Sequence, residues 1–533
     1  MSMGSRRELR PRLGSGPLFA LVAAVIAAIS PAADAGNAIG AWSAPTDSRW
    51  PLNPIHAALL PDGRVITYGT NADGKQTGRF IYDVWDPRLG LGGGHYTLPN
   101  TTVTDLFCSA QIILPQSGNV FLVGGDNWVP ATNSTNNVGN NNTLTFTTVG
   151  GPHLIQGPNM SRARWYATTT MLPNGEVYIQ GGREGADRPE IRGVDGTLRL
   201  LTGANTTGLF WYYPRNWVAP DGRIFGFSDR AMYYVDPRGA GSVTRAGDLP
   251  VGGPAGVTSS AVMYRPGQIF SAGGGAGVLT ANNTTTVGTN AAVTININSG
   301  APRVTQLAPM PLALQWHTAT VTADGTVVVT GGAIRSNVLQ GVSNRALIWT
   351  PTKNADSGRW NLGATTSSGK ARLYHSTALL LPDASVLVGG GGSPGPQINT
   401  NAEIYYPPYL FTAAGGFATR PLLLRAPAQI LAGSRFSVRV NRPGSIKRIT
   451  LVRNGSVTHS FNMEQRFMDL GFSRSGNGDL SVRAPASLTV APPGYYLLFA
   501  IDAAGVPSIA RTVLLNGTAG RHSTRTQRDR RDG

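Results

Sequence analysis

Apolar and β-branched residues in this chain gather in short runs, separated by Pro, Asp, Asn and Gly; no long stretch has the three-to-four-residue period of an amphipathic helix. The runs come in pairs around a tight turn, and the second run ends on a glycine pair or its relic. Seven copies stand at residues 56–69 (HAALLPDGRVITYG), 108–125 (CSAQIILPQSGNVFLVGG), 166–182 (YATTTMLPNGEVYIQGG), 217–226 (WVAPDGRIFG), 259–274 (SSAVMYRPGQIFSAGG), 317–332 (HTATVTADGTVVVTGG) and 375–390 (HSTALLLPDASVLVGG). Each copy predicts a β-hairpin. A period of about 50 residues is that of kelch-type propeller blades. The residues between copies supply the outer strands of four-stranded blades, and ring closure leaves no long exposed edge.

The pattern changes after Pro407. Separate short strands are predicted at Arg435–Val440, Arg448–Val452, His459–Phe461, Asp479–Arg483, Tyr495–Asp502 and Ile509–Leu514, without glycine pairs. They suit an immunoglobulin-like β-sandwich. The expected fold is therefore all-β: a seven-bladed kelch-type β-propeller over residues 36–418, then a sandwich over 419–516. Residues 133–142 (NSTNNVGNNN) read as a flexible low-complexity insertion in the second blade.

At 533 residues the chain is long enough for both units. Arg6, Arg7, Arg10 and Arg12 precede an apolar run from Pro17 to Ile29, and Ala33-Asp34-Ala35 offers small residues for cleavage. Residues 1–35 thus read as a signal peptide rather than a membrane anchor. Residues 517–533 read as a disordered basic tail. The net charge of +17 invites a nucleic-acid reading. That reading is set aside, because several arginines fall in the leader and tail and the others look scattered, without interleaved aromatics. An exported protein in loose association with anionic polymers of the cell envelope, and monomeric, fits better. Cys108 is the single cysteine, unusual for an exported protein, where thiols tend to pair.

Aligned on the proline of the hairpin turn, Cys108 lies seven residues before Pro115, Tyr166 seven before Pro173 and His375 seven before Pro382. Three chemically capable residues therefore share one register in three blades, and equivalent positions converge toward a propeller's axis. Each alone reads as channel filling; together they point to a site. Tyr374 adjoins His375, and neighbours on a regular strand face opposite ways. Both reach one point only if the strand begins irregularly there. His317 sits near the same register and either lines the pocket or packs. His56, His95 and His153 read as surface or packing residues.

Several strings resemble the copper-radical oxidases, the group of galactose oxidase and glyoxal oxidase. They are Phe107-Cys108, Arg164-Trp165-Tyr166, Arg372-Leu373-Tyr374-His375-Ser376, Thr458-His459 with Gln465-Arg466, Pro493-Gly494-Tyr495-Tyr496 and Gly505-Val506-Pro507-Ser508. The resemblance implies one copper ion held by Tyr166, Tyr374, His375 and His459. It implies a thioether joining Cys108 to the ring of Tyr166, which makes a protein-derived radical cofactor, and a basic role for Tyr374. It further implies oxidation of a small aldehyde, a primary alcohol or a carbohydrate terminus by O2, with H2O2 as product. Two imidazoles, phenolates and an open position suit Cu(II). His459 would have to reach the site through the channel from the C-terminal unit.

The chain also departs from the pattern. Gly181-Gly182 leads into Arg183-Glu184-Gly185, where galactose oxidase carries a tryptophan that stacks on the linked tyrosine. Trp165, Trp128 and Trp217 are the candidates to replace it. The alternative function is a non-catalytic kelch-propeller binding protein of the cell surface, directed at glycans.

Overall fold

The computed structural model describes residues 38–44, 49–275, 285–353, 356–475 and 478–517. The leader read over 1–35 and the tail after Gly517 lie outside the described residues. Among the described residues the fold is all-β. Its helical elements are short 3₁₀ turns at Pro87–Leu89, Arg183–Gly185, Pro408–Leu410 and Pro443–Ser445. No described helix is long and apolar enough to cross a membrane.

Seven four-stranded antiparallel groups follow one another. Their first strands are His56–Leu59, Ala110–Ile113, Ala167–Met171, Arg215–Val218, Ser260–Arg265, Gln315–Val321 and Ser376–Leu380. Each pairs with the strand after its turn, as the repeat predicts. These first strands are buried throughout apart from Arg265, which suits runs of β-branched and small residues covered on both faces. Outer strands such as Arg303–Gln306 carry the polar positions. The seventh group takes its fourth strand from the start of the chain: Ala41–Trp42 pairs with Ala402–Tyr406. Apolar clusters bridge neighbouring groups, for instance Leu172, Tyr178, Ile191, Val218, Ile224 and Tyr233 between the third and fourth.

The glycine pairs have a steric purpose. A Cβ on Gly124 would collide with the Arg164 carbonyl, and one on Gly331 with the Arg372 carbonyl. In four of the pairs the second glycine then donates its N–H to the next group: Gly125 to Arg164 O (2.9 Å), Gly182 to Trp211 O (3.0 Å), Gly274 to Leu314 O (2.8 Å) and Gly332 to Arg372 O (2.7 Å). Each captured carbonyl lies two or three residues ahead of Tyr166, Tyr213, Trp316 or His375. The repeat's glycines thus fix where the next group's first strand begins.

After residue 420, two sheets enclose a separate apolar core that includes Val438, Ile449, Leu451, Leu480, Leu498 and Val513. One sheet orders Leu423–Arg425, Arg435–Val440, Leu480–Arg483 and Phe472–Arg474. In the other, Ile446–Arg453 pairs with Phe461–Leu470 and Gly494–Asp502. The strand expected at 459–461 is instead a turn. Ser456–Thr458 and Phe461–Leu470 form a hairpin whose tip is His459-Ser460, both with left-handed backbones (φ 48° and 63°). Neither glycine nor asparagine marks this turn, so the sequence pattern hid it. Residues 133–142 are also more tied down than their composition suggests: Ser134–Thr135 pairs with Trp128–Val129, and Asn140 donates to the Asp105 and Asp126 carbonyls.

The hairpin inserts between two of the groups. Ser456–Thr458 pairs antiparallel with His56–Leu59, and Phe461–Leu470 runs parallel to Ser260–Arg265. Side chains seal the other approaches. Gln111 donates to Val457 O (3.1 Å), Ser456 donates to Gln111 O (2.9 Å), and Gln465 bonds both N and O of Val321 (2.7 and 3.2 Å). At the hairpin's base, buried Arg453 and Glu464 pair (3.0 Å), and Arg453 also donates to the Pro492 and Pro493 carbonyls. Arg453→Met strands the Glu464 carboxylate in a dry interior and is expected to cost about 3–5 kcal/mol of stability. The paired variant Arg453→Met/Glu464→Gln should recover most of it; thermal unfolding of both checks this.

Candidate metal centre

The residues seven before the turn position occupy the start of each first strand, and five of them are Cys108, Tyr166, Tyr213, Trp316 and His375. All five have left-handed backbones, with φ of 57°, 73°, 39°, 58° and 70°. Such a φ is costly for aromatic and branched residues and persists where surrounding bonds over-determine it. Here Tyr166 N–H donates to Cys108 O (3.0 Å) and Tyr213 N–H to Tyr166 O (2.9 Å), so neighbouring groups hold one another's strand starts. The kink also removes the objection to Tyr374. The regular strand begins only at Ser376, so Tyr374 and His375 turn to the same side, their rings stacked at 3.7 Å and 28°.

Buried arginines clamp two of these starts. Arg164 donates to the carbonyls of Gly181, Gly185 and Arg188 and pairs with Glu190 (3.0 Å). Arg372 donates to Gly390 O and Asn401 O and pairs with Glu403 (2.8 Å). Arg215 follows Tyr213 and donates to the carbonyls of Tyr213, Val257 and Ser259. Burial pulls this guanidinium's pKa down to about 10.

Cys108, Tyr166, Tyr374, His375 and His459 come together. Cys108 Sγ lies 3.5 Å from His375 Nε2 and 3.3 Å from His459 Nε2, and the three ligand atoms fall within 4.8 Å of one another. The hydroxyls of Tyr166 and Tyr374 are 2.9 Å apart. The His375 and His459 rings meet edge-on at 4.5 Å, and Tyr166 packs edge-on against His459 at 5.4 Å. Tyr166 keeps 7% of its surface exposed and the other four keep 3% or less, so the cluster is almost wholly withdrawn from solvent.

Outer partners set the imidazole tautomers. His375 Nδ1 lies 2.8 Å from the carbonyl of Gly392, an acceptor only, so Nδ1 carries the proton. Thr458 Oγ1 donates to Ile55 O (3.1 Å) and therefore accepts from His459 Nδ1 (2.5 Å). Both Nε2 atoms are left bare and point into the cluster. Burial lowers the pKa of His375 to about 3. It holds His459 well below the usual value, with His375, His56 and Arg215 adding to the effect. Burial likewise raises Tyr166, Tyr374 and Cys108 well above their ordinary ranges. Without metal the cluster is thus neutral: two imidazole lone pairs, two phenols and a thiol, sequestered from water. That donor set fits a copper(II) ion, whose charge would release the phenol protons.

Aromatic rings encase Tyr166. Tyr212 lies flat on it, at 4.4 Å and 20°. Trp165 contacts it at a tilt (4.5 Å, 39°), and Trp211 stands 5.8 Å away. Of the tryptophans expected to stack, Trp128 instead packs on Phe80 and Trp217 on Phe227 and Phe461. Sequence reasoning missed Tyr212, Tyr213 and Trp316. Tyr213 stands seven before Pro220 and Trp316 seven before Ala323, so the register rule would have found both. Tyr213 lies on His459 at 4.6 Å, and Trp316 against Tyr374 at 4.7 Å.

The remaining histidines divide. His317 turns away to pack against Gly273. His56 is buried, stacked on Tyr68 (4.5 Å, 3°) and bonded to Gln111, with its ring 5.9 Å from His459. His95 binds Asp83 (2.7 Å), and exposed His153 binds Gly151 O.

The glyoxal oxidase N-terminus family matches residues 93–410, and the galactose oxidase-like early set domain matches residues 420–515. Galactose oxidase of Gibberella zeae is 28% identical over 528 residues, covering 89% of this chain and 70% of its own. Aldehyde oxidase GLOX of Vitis pseudoreticulata is 28% identical over 465 residues, covering 78% of this chain and 83% of its own. Among solved structures, a fungal alcohol oxidase in complex with copper shares the fold, with a TM-score of 0.77 and 23% identity. That match covers 90% of this chain and all of the other.

The Thr458 hydroxyl tests the tautomer argument. Thr458→Val removes the acceptor for His459 Nδ1–H, and Cu(II) affinity is expected to fall by about 10–100-fold. Thr458→Ser should restore it. Competition against a chelator of known affinity measures both.

Proposed function

The chain belongs to the glyoxal oxidase family and is a copper-dependent oxidase, and from that premise we propose how its own residues divide the work. The observation that carries the assignment is the convergence of two bare imidazole nitrogens and two phenol oxygens around one buried thiol. In this reading the seven groups are the blades of a closed kelch-type propeller, and the C-terminal sheets are an immunoglobulin-like sandwich that supplies His459. The apolar run at residues 17–29 supports export.

His375, His459, Tyr166 and Tyr374 would hold the copper. When bound, it would supply a Lewis acid and an acceptor for one of the two electrons that the substrate loses. Tyr166, as a radical, accepts the other as part of a hydrogen atom, and a thioether from Cys108 Sγ to its ring makes that radical accessible. The Cys108 backbone already bonds to that of Tyr166, and both side chains lie in one buried apolar cluster. Flat against the ring, Tyr212 keeps water from the radical, and Trp165 and Trp211 cover its flanks.

The Tyr374 phenolate takes the O–H proton of the substrate. Tyr166 takes the hydrogen atom from the carbon that bears this oxygen. An alcohol leaves as the aldehyde. An aldehyde reacts as its hydrate, which presents the same O–H and C–H pair, and leaves as the acid. Dioxygen accepts the two electrons and two protons as H2O2. Trp165 and Trp211 crowd the Tyr166 ring and Phe210 packs on Trp211, an enclosure that suits small aldehydes and primary alcohols. A pure binding role would have no use for five such residues in one dry cluster.

Exposing the metal-free protein to Cu(II) and O2 should yield a peptide joining Cys108 and Tyr166, lighter by two hydrogens than the separate peptides in mass spectrometry. Recovery of separate peptides would sink the radical assignment. Cys108→Ser should bind copper yet release little H2O2 across a panel of aldehydes and alcohols, and Tyr374→Phe should lower kcat by about 10²–10⁴-fold. Because copper must displace protons from phenols whose pKa burial has raised, its apparent affinity should climb with pH. Titrations in weak buffer at several pH values read both the affinity and the released protons.

A further inference from the structure

Charge is shared unevenly along the chain. Residues 38–419 carry 24 Lys and Arg against 20 Asp and Glu, a net of +4. Residues 420–517, about a quarter as many, carry 12 against 4, a net of +8. The arginines look scattered in the sequence, but the fold gathers them. In the sheet that orders Leu423–Arg425, Arg435–Val440, Leu480–Arg483 and Phe472–Arg474, Phe436, Val438, Val440, Leu480 and Val482 face the core. On the two central strands the opposite face holds only arginine and serine: Arg435, Ser437 and Arg439 on one, Ser481 and Arg483 on the other.

The register puts like charges together. Arg435 lies directly opposite Arg483, Ser437 opposite Ser481, and Arg425 opposite Arg439 on the adjoining strand. Facing like charges destabilise a sheet. Asp479 is the acid that answers this face. It binds Arg439 at 2.6 Å and Arg425 at 3.5 Å, which leaves Arg435 and Arg483 without an ion pair among the described residues. The Arg425 and Arg439 side chains remain 66% and 47% exposed.

We propose that this arginine–serine face of the C-terminal sandwich is a docking surface for an acidic polysaccharide, one bearing carboxylate or sulfate groups. Guanidinium forks grip such anions through paired N–H bonds, and the interleaved hydroxyls match sugar hydroxyls. Arg435 and Arg439 stand about 13 Å apart along the strand, a span that a linear polymer bridges with successive anionic units. The two central strands present no aromatic ring on which a nucleobase could stack, and no amphipathic helix on which to lie at a membrane. The surface would hold a peroxide-producing enzyme against an anionic matrix.

The full chain is passed over immobilised polygalacturonate and dextran sulfate, with neutral dextran as control. Arg435→Ser/Arg483→Ser is expected to weaken retention roughly tenfold or more at low salt, and Arg435→Glu/Arg483→Glu to abolish it. The serine variant should melt at or above the parent's temperature and the glutamate variant, which again opposes like charges, near it; both should keep the parent's H2O2 release from a small soluble substrate. A chain truncated after Gly517 should keep most of the affinity. Unchanged retention of the double variants overturns the proposal, as does loss of binding on truncation alone. So does a parent chain that binds DNA or phosphatidylglycerol vesicles but not the acidic polysaccharides.

Discussion

The backbone pairing of the Ser456–Leu470 hairpin with two first strands, His56–Leu59 on one side and Ser260–Arg265 on the other, is the constraint on which the centre depends. Those strands belong to groups one and five, far apart in sequence. Once the hairpin bonds to both, and Gln111 and Gln465 bond it to groups two and six, its tip has one location. His459 is carried on that tip. A ligand delivered by a strand-bonded hairpin is held by the sum of many amide bonds rather than by its own rotamer, the kind of rigid support a metal centre requires.

Desolvation does the rest. Removing water from two imidazoles, two phenols and a thiol is tolerable only because burial keeps each in its neutral form. The bonds from His375 to Gly392 and from His459 to Thr458 choose which nitrogen keeps the proton, so the neutral cluster already has the polarity a cation needs. The same dryness protects a ring radical, and Tyr212, Trp165 and Trp211 extend it outward.

Much of this was legible in the amino-acid string because it is repetitive. Seven hairpins with a common turn made the register of Cys108, Tyr166 and His375 readable from their distance to a proline. Tyr213 and Trp316 obey the same count and escaped notice only because their copies were read from Trp217 and His317, past the kink. The stack of Tyr212 on Tyr166 was not legible: it depends on the path of an irregular segment ahead of the fourth group, and no period encodes that. The turn at His459-Ser460 was invisible for another reason. Its left-handed residues are neither glycine nor asparagine, and tertiary pairing, not local preference, imposes their conformation. The cationic face was half visible, as an arginine-x-serine-x-arginine alternation whose neighbours only the sheet order reveals.

The pairing of Ala41–Trp42 with Ala402–Tyr406 joins the two ends of the seven-group array. During synthesis the strand Ala41–Trp42 therefore waits for about 360 residues before its partner exists, and His459 emerges later still. Fragments can form local hairpins on the way, but none brings His459 to Tyr166, Tyr374 and His375. Assembly order thereby becomes a safeguard: the chain cannot acquire oxidase chemistry, or release peroxide into its own surroundings, until the hairpin that bears His459 is made and the clasp is shut.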